Sequence, residues 1–373
     1  MMVSINAAFD GGNILPISID DPADVRLEIR RDAQSDFYQW FSFLLAHPQG
    51  EAVTLTILNA GGAAYVKGWE NYEAVMSLDG ETWQRVPTQY TGGKLTISLT
   101  MPAPRVHLAY FAPYPMTRHH DLIAQALASE RFDYTVLGTT IDGRTMDYLR
   151  YGSGPSQVWL IARQHPGETM AEWWMEGGVQ MLADGDDPIA RTLAQHATVH
   201  IIPNMNPDGS SRGHLRTNAV GVNLNRVWAS PTLERSPEVY HVRAKMHETG
   251  VDLCLDVHGD EALPYNFIAG FEGIPSITQD QQAGLQRYKA LLEQLSPDFQ
   301  TKIGYPAAPA GKANLSMSTN YIAETFGAVS MTLEMPFKDT VDTPHPLTGW
   351  SPERSAMLAQ HCLQALSMYL PKQ

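Results

Sequence analysis

The residues most able to do chemistry in this chain of 373 residues stand in a few short motifs. The sharpest is His165-Pro-Gly-Glu168, which directly follows an apolar run and opens a helical pattern. An imidazole and a carboxylate three residues apart at a turn can converge on one cation, and neutral imidazole with carboxylate suits zinc. The pair is weak by itself. With 13 His in the chain, a chance HxxE is expected about once, and a second, His258–Glu261, is present. Either could be a solvated turn. His258, however, closes the run LCLDV, and active sites of open α/β sheets gather at carboxyl ends of strands. Two His and one Glu leave a fourth tetrahedral position open, the arrangement of a catalytic zinc centre.

Two further groups complete a reactive set. The stretch 206–228, NPDGSSRGHLRTNAVGVNLNRVW, has little apolar periodicity and reads as a long loop containing Arg212, Arg216 and Arg226. Such loops are uncommon unless functional, and guanidinium groups suit a bidentate grip on carboxylate and stabilisation of an oxyanion. Arg212 reads equally well as a surface arginine. Glu334 lies in the apolar stretch SMTLEM. A carboxylate buried there unpaired is costly, so it needs a partner: a metal-activated water within hydrogen-bond reach, or an arginine.

The elements that position these groups change character near residue 115. Before it, DVRLEIR (24–30), AVTLTIL (52–58), YEAVMSL (72–78), KLTISLT (94–100) and VHLAYFA (106–112) alternate with period two. Glycine pairs and DG at 61–62, 79–80 and 92–93 punctuate them, residues that supply positive φ in tight turns. This predicts an antiparallel β-sandwich over residues 1–115. After FAPYPM (111–116), strand and helix patterns alternate. Strands are expected at 157–163, 197–205, 251–259 and 327–335, and helices at 119–130, 169–183, 240–250 and 351–370. Residues 116–373 therefore read as an α/β layer domain with crossover connections.

HPGE, NPDG, GVNLNRVW, a strand-end DVHG and TLEM, in that order, resemble the zinc carboxypeptidases of the carboxypeptidase A superfamily, whose type member has a His₂Glu zinc site. The closer resemblance is to the cytosolic carboxypeptidases, the tubulin-deglutamylase-like branch, which shares a preceding β-sandwich and a YFAPYPMT-like junction. It covers essentially the whole chain. It implies a mixed-sheet α/β/α catalytic domain, one Zn²⁺ held by His165, Glu168 and His258, and a peptide or protein C-terminus as substrate. It further implies that Asn225 and Arg226 hold the terminal carboxylate, Arg216 polarises the scissile carbonyl and Glu334 is the general base. An acidic C-terminal residue would need a separate cation, and Lys312 is the candidate. Two departures stand out. Asn223 occupies a place where the family commonly has Asp, an acceptor for a zinc-bound His. The stretch 310–315, AGKANL, lacks the tyrosine of pancreatic-type enzymes; Tyr305 and Tyr321 are nearby, and neither is placed by a motif.

Competing readings are a zinc deacylase of the succinylglutamate desuccinylase or aspartoacylase type, and a binding module with a degenerate zinc site. Composition narrows the partners. The net charge of −14, from 26 Lys+Arg against 40 Asp+Glu, argues against nucleic acid, because no basic excess displaces counterions. No apolar run approaches the ~18 residues that cross a bilayer, and residues 1–13 show no signal-peptide pattern. Two cysteines, Cys254 and Cys362, are too few for a disulfide scaffold, so a reducing cytoplasm is expected.

Overall fold

The computed structural model describes residues 3–370. Ten short strands fill the first part: β1 (Ser4–Asn6), β2 (Leu15–Ser18), β3 (Val25–Glu28), β4 (Ser42–Ala46), β5 (Ala52–Ile57), β6 (Ala74–Ser77), β7 (Gln84–Val86), β8 (Thr88–Thr91), β9 (Lys94–Thr100) and β10 (Arg105–Ala109). They form two five-stranded sheets, β1-β4-β10-β6-β7 and β2-β3-β5-β9-β8. Period-two alternation is the cause. Val53, Leu55, Ile57, Leu95 and Ile97 of one sheet meet Phe43, Leu45, Val106 and Leu108 of the other in one buried core.

The expected two-sheet sandwich forms, with antiparallel pairing predominant and two local departures. The sandwich is not wholly antiparallel, because β3 and β5 pair in parallel; between them the chain visits the other sheet as β4 and returns in its original direction. Gly61 and Gly62 are not a positive-φ turn but part of a 3₁₀ turn, Ala60–Gly62. Glycine is required at 61 for space, since an added Cβ would lie 2.8 Å from the Gly93 Cα.

The remaining elements are α1 (Met116–Ala128), β11 (Phe132–Thr139), β12 (Thr145–Tyr151), β13 (Ser156–Ala162), α2 (Met170–Ala183), α3 (Pro188–His196), β14 (Ala197–Ile202), α4 (Pro207–Arg212), α5 (Pro237–Thr249), β15 (Leu253–Asp260), β16 (Phe267–Ala269), α6 (Gln279–Leu295), α7 (Ser318–Phe326), β17 (Val329–Pro336) and α8 (Pro352–Tyr369). Seven strands make one mixed sheet, β11-β12-β14-β13-β15-β17-β16. Its centre, β14-β13-β15-β17, is parallel, and β13, β15 and β17 read as near-continuous apolar runs because they are buried on both faces. Stretch 206–228 is not a bare loop, since it opens with α4. The signals are local: Asn206 caps the Gly209 N–H at 3.0 Å, Pro207 takes the first helical position, and Gly213 ends the helix at φ 69°.

The sandwich and the mixed-sheet unit are tied by half-buried and buried polar groups. Arg85 of the sandwich donates to the carbonyls of Phe337, Thr348 and Trp350, and Lys338 donates to the Glu70 carbonyl at 2.6 Å. Tyr110 and Phe337 stack with centroids 4.6 Å apart.

Candidate metal centre and its pocket

Parallel register assembles the first half of the site. β13 lies beside β15, and β15 beside β17, where His258 pairs with Glu334. Neighbouring residues in register project from the same face, so these two side chains share one strand end. β13 finishes at Ala162, and Arg163 turns the chain with a left-handed φ of 59°. That conformation is disfavoured for a residue with a Cβ. It is held by the Arg163 side chain, which donates to the Pro166 carbonyl at 3.0 Å, to the Tyr114 carbonyl at 2.7 Å and to Glu172. The turn delivers His165 and Glu168 opposite His258.

All three are buried, at 3%, 2% and 1% exposure. His165 Nδ1 lies 2.7 Å from Glu168 Oε1, His258 Nδ1 lies 2.8 Å from Glu168 Oε2, and the two Nδ1 atoms are 3.2 Å apart. Among the described residues this is the one cluster of three or more His, Cys, Asp or Glu side chains able to hold a metal ion. The 3.2 Å between the imidazole nitrogens is close to the ~3.4 Å edge of a tetrahedral shell with ~2.0–2.1 Å bonds, and the two contacts to Glu168 are tighter than such an edge. The chemistry fits too, because two imidazole nitrogens aimed at each other and at a carboxylate call for a cation between them. The far nitrogens face acceptors: His165 Nε2 is 3.1 Å from Asn223 Oδ1, and His258 Nε2 lies 2.9 Å from Asp256 Oδ2, at ion-pair distance but not aligned for a hydrogen bond. Such acceptors set the tautomer and orient the ring. Asn223 thus takes the expected acceptor position through its carbonyl oxygen.

Charge in the cluster is uneven. Burial and then the Arg216 cation push His165 down to about 4, so it is a neutral donor. Burial also opposes charge on His258, but Asp256 and Glu168 outweigh it and raise its proton affinity well above the ordinary value. Burial raises Glu334 strongly; His258 opposes, and Glu168, Asp260 and Glu261 reinforce. Glu334 Oε2 is buried without a hydrogen-bond partner, and no arginine pairs with it among the described residues.

A cavity of about 400 Å³ opens over these groups, lined by His165, Glu168, His258 and Glu334 together with Arg216, Asn225 and Arg226. Asn225 Oδ1 accepts from the Ser318 backbone N–H at 2.9 Å and from its hydroxyl at 3.1 Å, which leaves the amide NH₂ for the pocket. Arg212 is not part of the site: it makes a bidentate pair with Asp142 at 2.7 and 2.8 Å. Lys312 is not brought into this cavity either. It is exposed and lines an adjoining hollow of about 360 Å³ that shares Ala269, Tyr305 and Met317 with the first. Of its loop, residues 301–312, Tyr305 alone reaches the cavity wall, and the Lys312 end stays exposed.

Several lining residues carried no signal in the sequence. Tyr65 comes from the sandwich, and Asp260, Glu261 and Tyr305 come from beyond the strand-end motif. Tyr305 donates its hydroxyl to Asp260, whereas Tyr321 turns away to His247 at 3.0 Å. Only the second HxxE, His258–Glu261, and the closeness of Tyr305 to the stretch 310–315 pointed toward any of these.

Two family profiles match the chain: "Zinc carboxypeptidase" over residues 122–340 and "Cytosolic carboxypeptidase N-terminal domain" over residues 5–111. A metallo-carboxypeptidase from Pseudomonas aeruginosa, solved in complex with (2-guanidinoethylmercapto)succinic acid, superposes with a TM-score of 0.96 at 43% identity over 98% of each chain. A metallo-carboxypeptidase from Burkholderia cenocepacia gives 0.95 at 44% identity over 99% of each. Mouse cytosolic carboxypeptidase 6 is 26% identical over 330 residues, which cover 80% of this chain and 60% of that protein.

Proposed function

The chain belongs to the zinc carboxypeptidase family and is a hydrolase of that kind, and from this premise we propose that it removes single C-terminal residues from peptides or proteins with one bound Zn²⁺. The observation that carries this reading is the convergence of His165 Nδ1, Glu168 and His258 Nδ1 beside the unpartnered carboxylate of Glu334. Residues 1–115 and 116–373 are proposed as sandwich and catalytic domain. Among the described residues no helix is long and apolar enough to cross a membrane; a cytoplasmic location is part of the proposal.

His165, Glu168 and His258 would hold the ion, which when bound supplies a Lewis acid and lowers the pKa of a water to ~7. Asn225 and Arg226 hold the substrate's terminal carboxylate and set the distance to the scissile bond. Glu334 takes a proton from the attacking water and returns it to the leaving amine as the C–N bond breaks, a task suited to a carboxylate whose proton affinity burial has raised. Arg216 donates to the carbonyl oxygen as negative charge develops there.

For the side chain of the departing residue, the resemblance suggests Glu or Asp, with Lys312 on the adjoining hollow as the cation. The Pseudomonas relative's ligand instead pairs a guanidinium with two carboxyls, so a basic residue facing Asp260 and Glu261 on the cavity wall is the competing reading. The family assignment favours the peptidase over the deacylase and binding-module readings. Zinc analysis of the purified protein, followed by mass spectrometry of peptides differing only in the last residue, tests all of this. The expected result is one zinc per chain and loss of one residue per event, fastest for Glu. Zinc-loaded protein that leaves every C-terminus intact would remove the reading; a preference for Arg or Lys would move specificity to the acidic wall.

A further inference from the structure

Arg216 belongs to the catalytic half, yet the groups that hold it come from the sandwich. Asp32, buried between β3 and β4, accepts from the backbone N–H of Leu215 at 2.7 Å, of Arg216 at 2.8 Å and of Thr217 at 2.9 Å, and from the Thr217 hydroxyl at 3.1 Å. Hydrogen bonds to a charged acceptor are roughly twice as strong as neutral ones, and here four converge on one carboxylate. The Arg216 guanidinium carbon lies 5.7 Å from the ring centroid of Phe37 and 5.3 Å from that of Tyr65, both within the ~6 Å reach of a cation–π contact. Sandwich and site meet closely elsewhere as well: an added Cβ at Gly68 would lie 2.9 Å from the Cβ of Glu261.

How the guanidinium is held matters for what it can do. Among the described residues it makes no ion pair and no side-chain hydrogen bond, although Glu168, Glu261 and Glu334 are close enough to act on its charge. A carboxylate partner would occupy N–H donors and cancel charge. Aromatic faces hold a cation while leaving every N–H free for a developing oxyanion.

We infer that the N-terminal sandwich is a working part of the active site, in which Asp32, Phe37 and Tyr65 are positioning residues that orient Arg216 with its donors unspent. The inference rests on the reading that Arg216 stabilises the oxyanion, and the two are separable by experiment.

In steady-state assays on a peptide substrate, Arg216→Ala alone tests the underlying role, with kcat expected to fall about 10²–10³-fold. Phe37→Leu and Tyr65→Leu are each expected to lower kcat about tenfold with KM within about twofold, and Tyr65→Phe, which keeps the ring, to recover what Tyr65→Leu loses. Phe37 is not among the residues that line the cavity, so a loss of kcat there without a change in KM reads as positioning. In the Arg216→Ala background, Tyr65→Leu should cost nothing further. A full additional loss in that double variant, or an effect confined to KM, overturns the positioning role while leaving the role of Arg216 intact. An unaffected kcat in Arg216→Ala overturns both. A crystal structure of Phe37→Leu/Tyr65→Leu supplies a readout independent of rate. The guanidinium is expected to leave its place, and an unmoved guanidinium would sink the inference.

Discussion

Two buried clusters of histidine and carboxylate lie at the carboxyl edge of the mixed sheet, and they differ in how their partners are accounted for. In the first, His119 sits between Glu172 at 2.6 Å and Asp147 at 2.9 Å; Glu172 also receives Arg163 and Asn204, and Asp147 receives the Tyr134 hydroxyl at 2.7 Å. Two carboxylates face two cations, and each hydrogen-bonding group has a partner. Burial, the largest single effect on His119, favours its neutral form, but the hydrogen bonds to Asp147 and Glu172 outweigh it and lift the imidazole to about 9. In the second cluster His165 is driven down to about 4, the Nδ1 atoms of two histidines face each other, and Glu334 Oε2 has no partner. The residue types are the same. What separates a structural cluster from a reactive one is whether its charge closes without a guest. The two are also joined, because Arg163 belongs to the first and makes the strained turn that delivers His165 to the second.

The largest expected break in this comparison is Glu334→Gln. The amide is nearly isosteric but cannot take a proton, so peptide hydrolysis should fall by about 10²–10⁴-fold while the melting temperature and zinc content stay unchanged. Near-normal turnover would return Glu334 to the structural class.

Next come the histidines, whose losses should appear in different measurements. His119→Leu leaves Glu172 and Asp147 short of a cation in the interior, and denaturant unfolding should show about 3–5 kcal/mol less stability, with metal binding kept by the folded fraction. His165→Ala should lose stoichiometric zinc in dialysis and metal analysis. Equal zinc retention in both variants would erase the distinction.

The third effect concerns pH. The folded-state value of His119 is raised to about 9 from an ordinary 6.5, so folding favours its protonated form. The resulting stability, on the order of 3 kcal/mol, is fully present below about pH 6.5 and fades as pH rises through 9. Thermal melts across that window should show the decline in the wild type and a flatter curve in His119→Leu. Parallel curves would place the proton elsewhere.

The smallest effect should be that of Lys312→Ala. Its ammonium is exposed, where a charge pair is worth less than about 1 kcal/mol, so KM for Glu-ended peptides should rise only a few-fold and KM for Leu-ended peptides should not move. Equal changes in both would remove Lys312 from recognition.

Much of this architecture was legible. Alternation in AVTLTI and KLTISLT marked sandwich strands, and the apolar runs ending in DVHG and TLEM marked the central strands that carry His258 and Glu334. Three of the elements that the pattern did not mark have plain physical reasons. β11 is an edge strand whose middle residues are exposed on both faces, so no apolar period forms, and β16 has only three residues. α4 was hidden because its six residues, PDGSSR, are polar and its evidence lies in caps rather than periodicity.

Residue pattern was enough to place ligand-type residues at strand ends, since a period-two or all-apolar pattern obliges a strand to bury particular faces. It also separated the chain into a strand-rich and an alternating part. The partnerships across long separations come from the fold: Asp32 beneath Leu215–Thr217, Tyr65 against Arg216, and Glu334 beside His258 without an arginine among the described residues. Local pattern fixes which face a residue turns to the core, but not which distant segment meets it there. That second choice depends on how the sandwich docks on the mixed sheet, and no residue spacing encodes it.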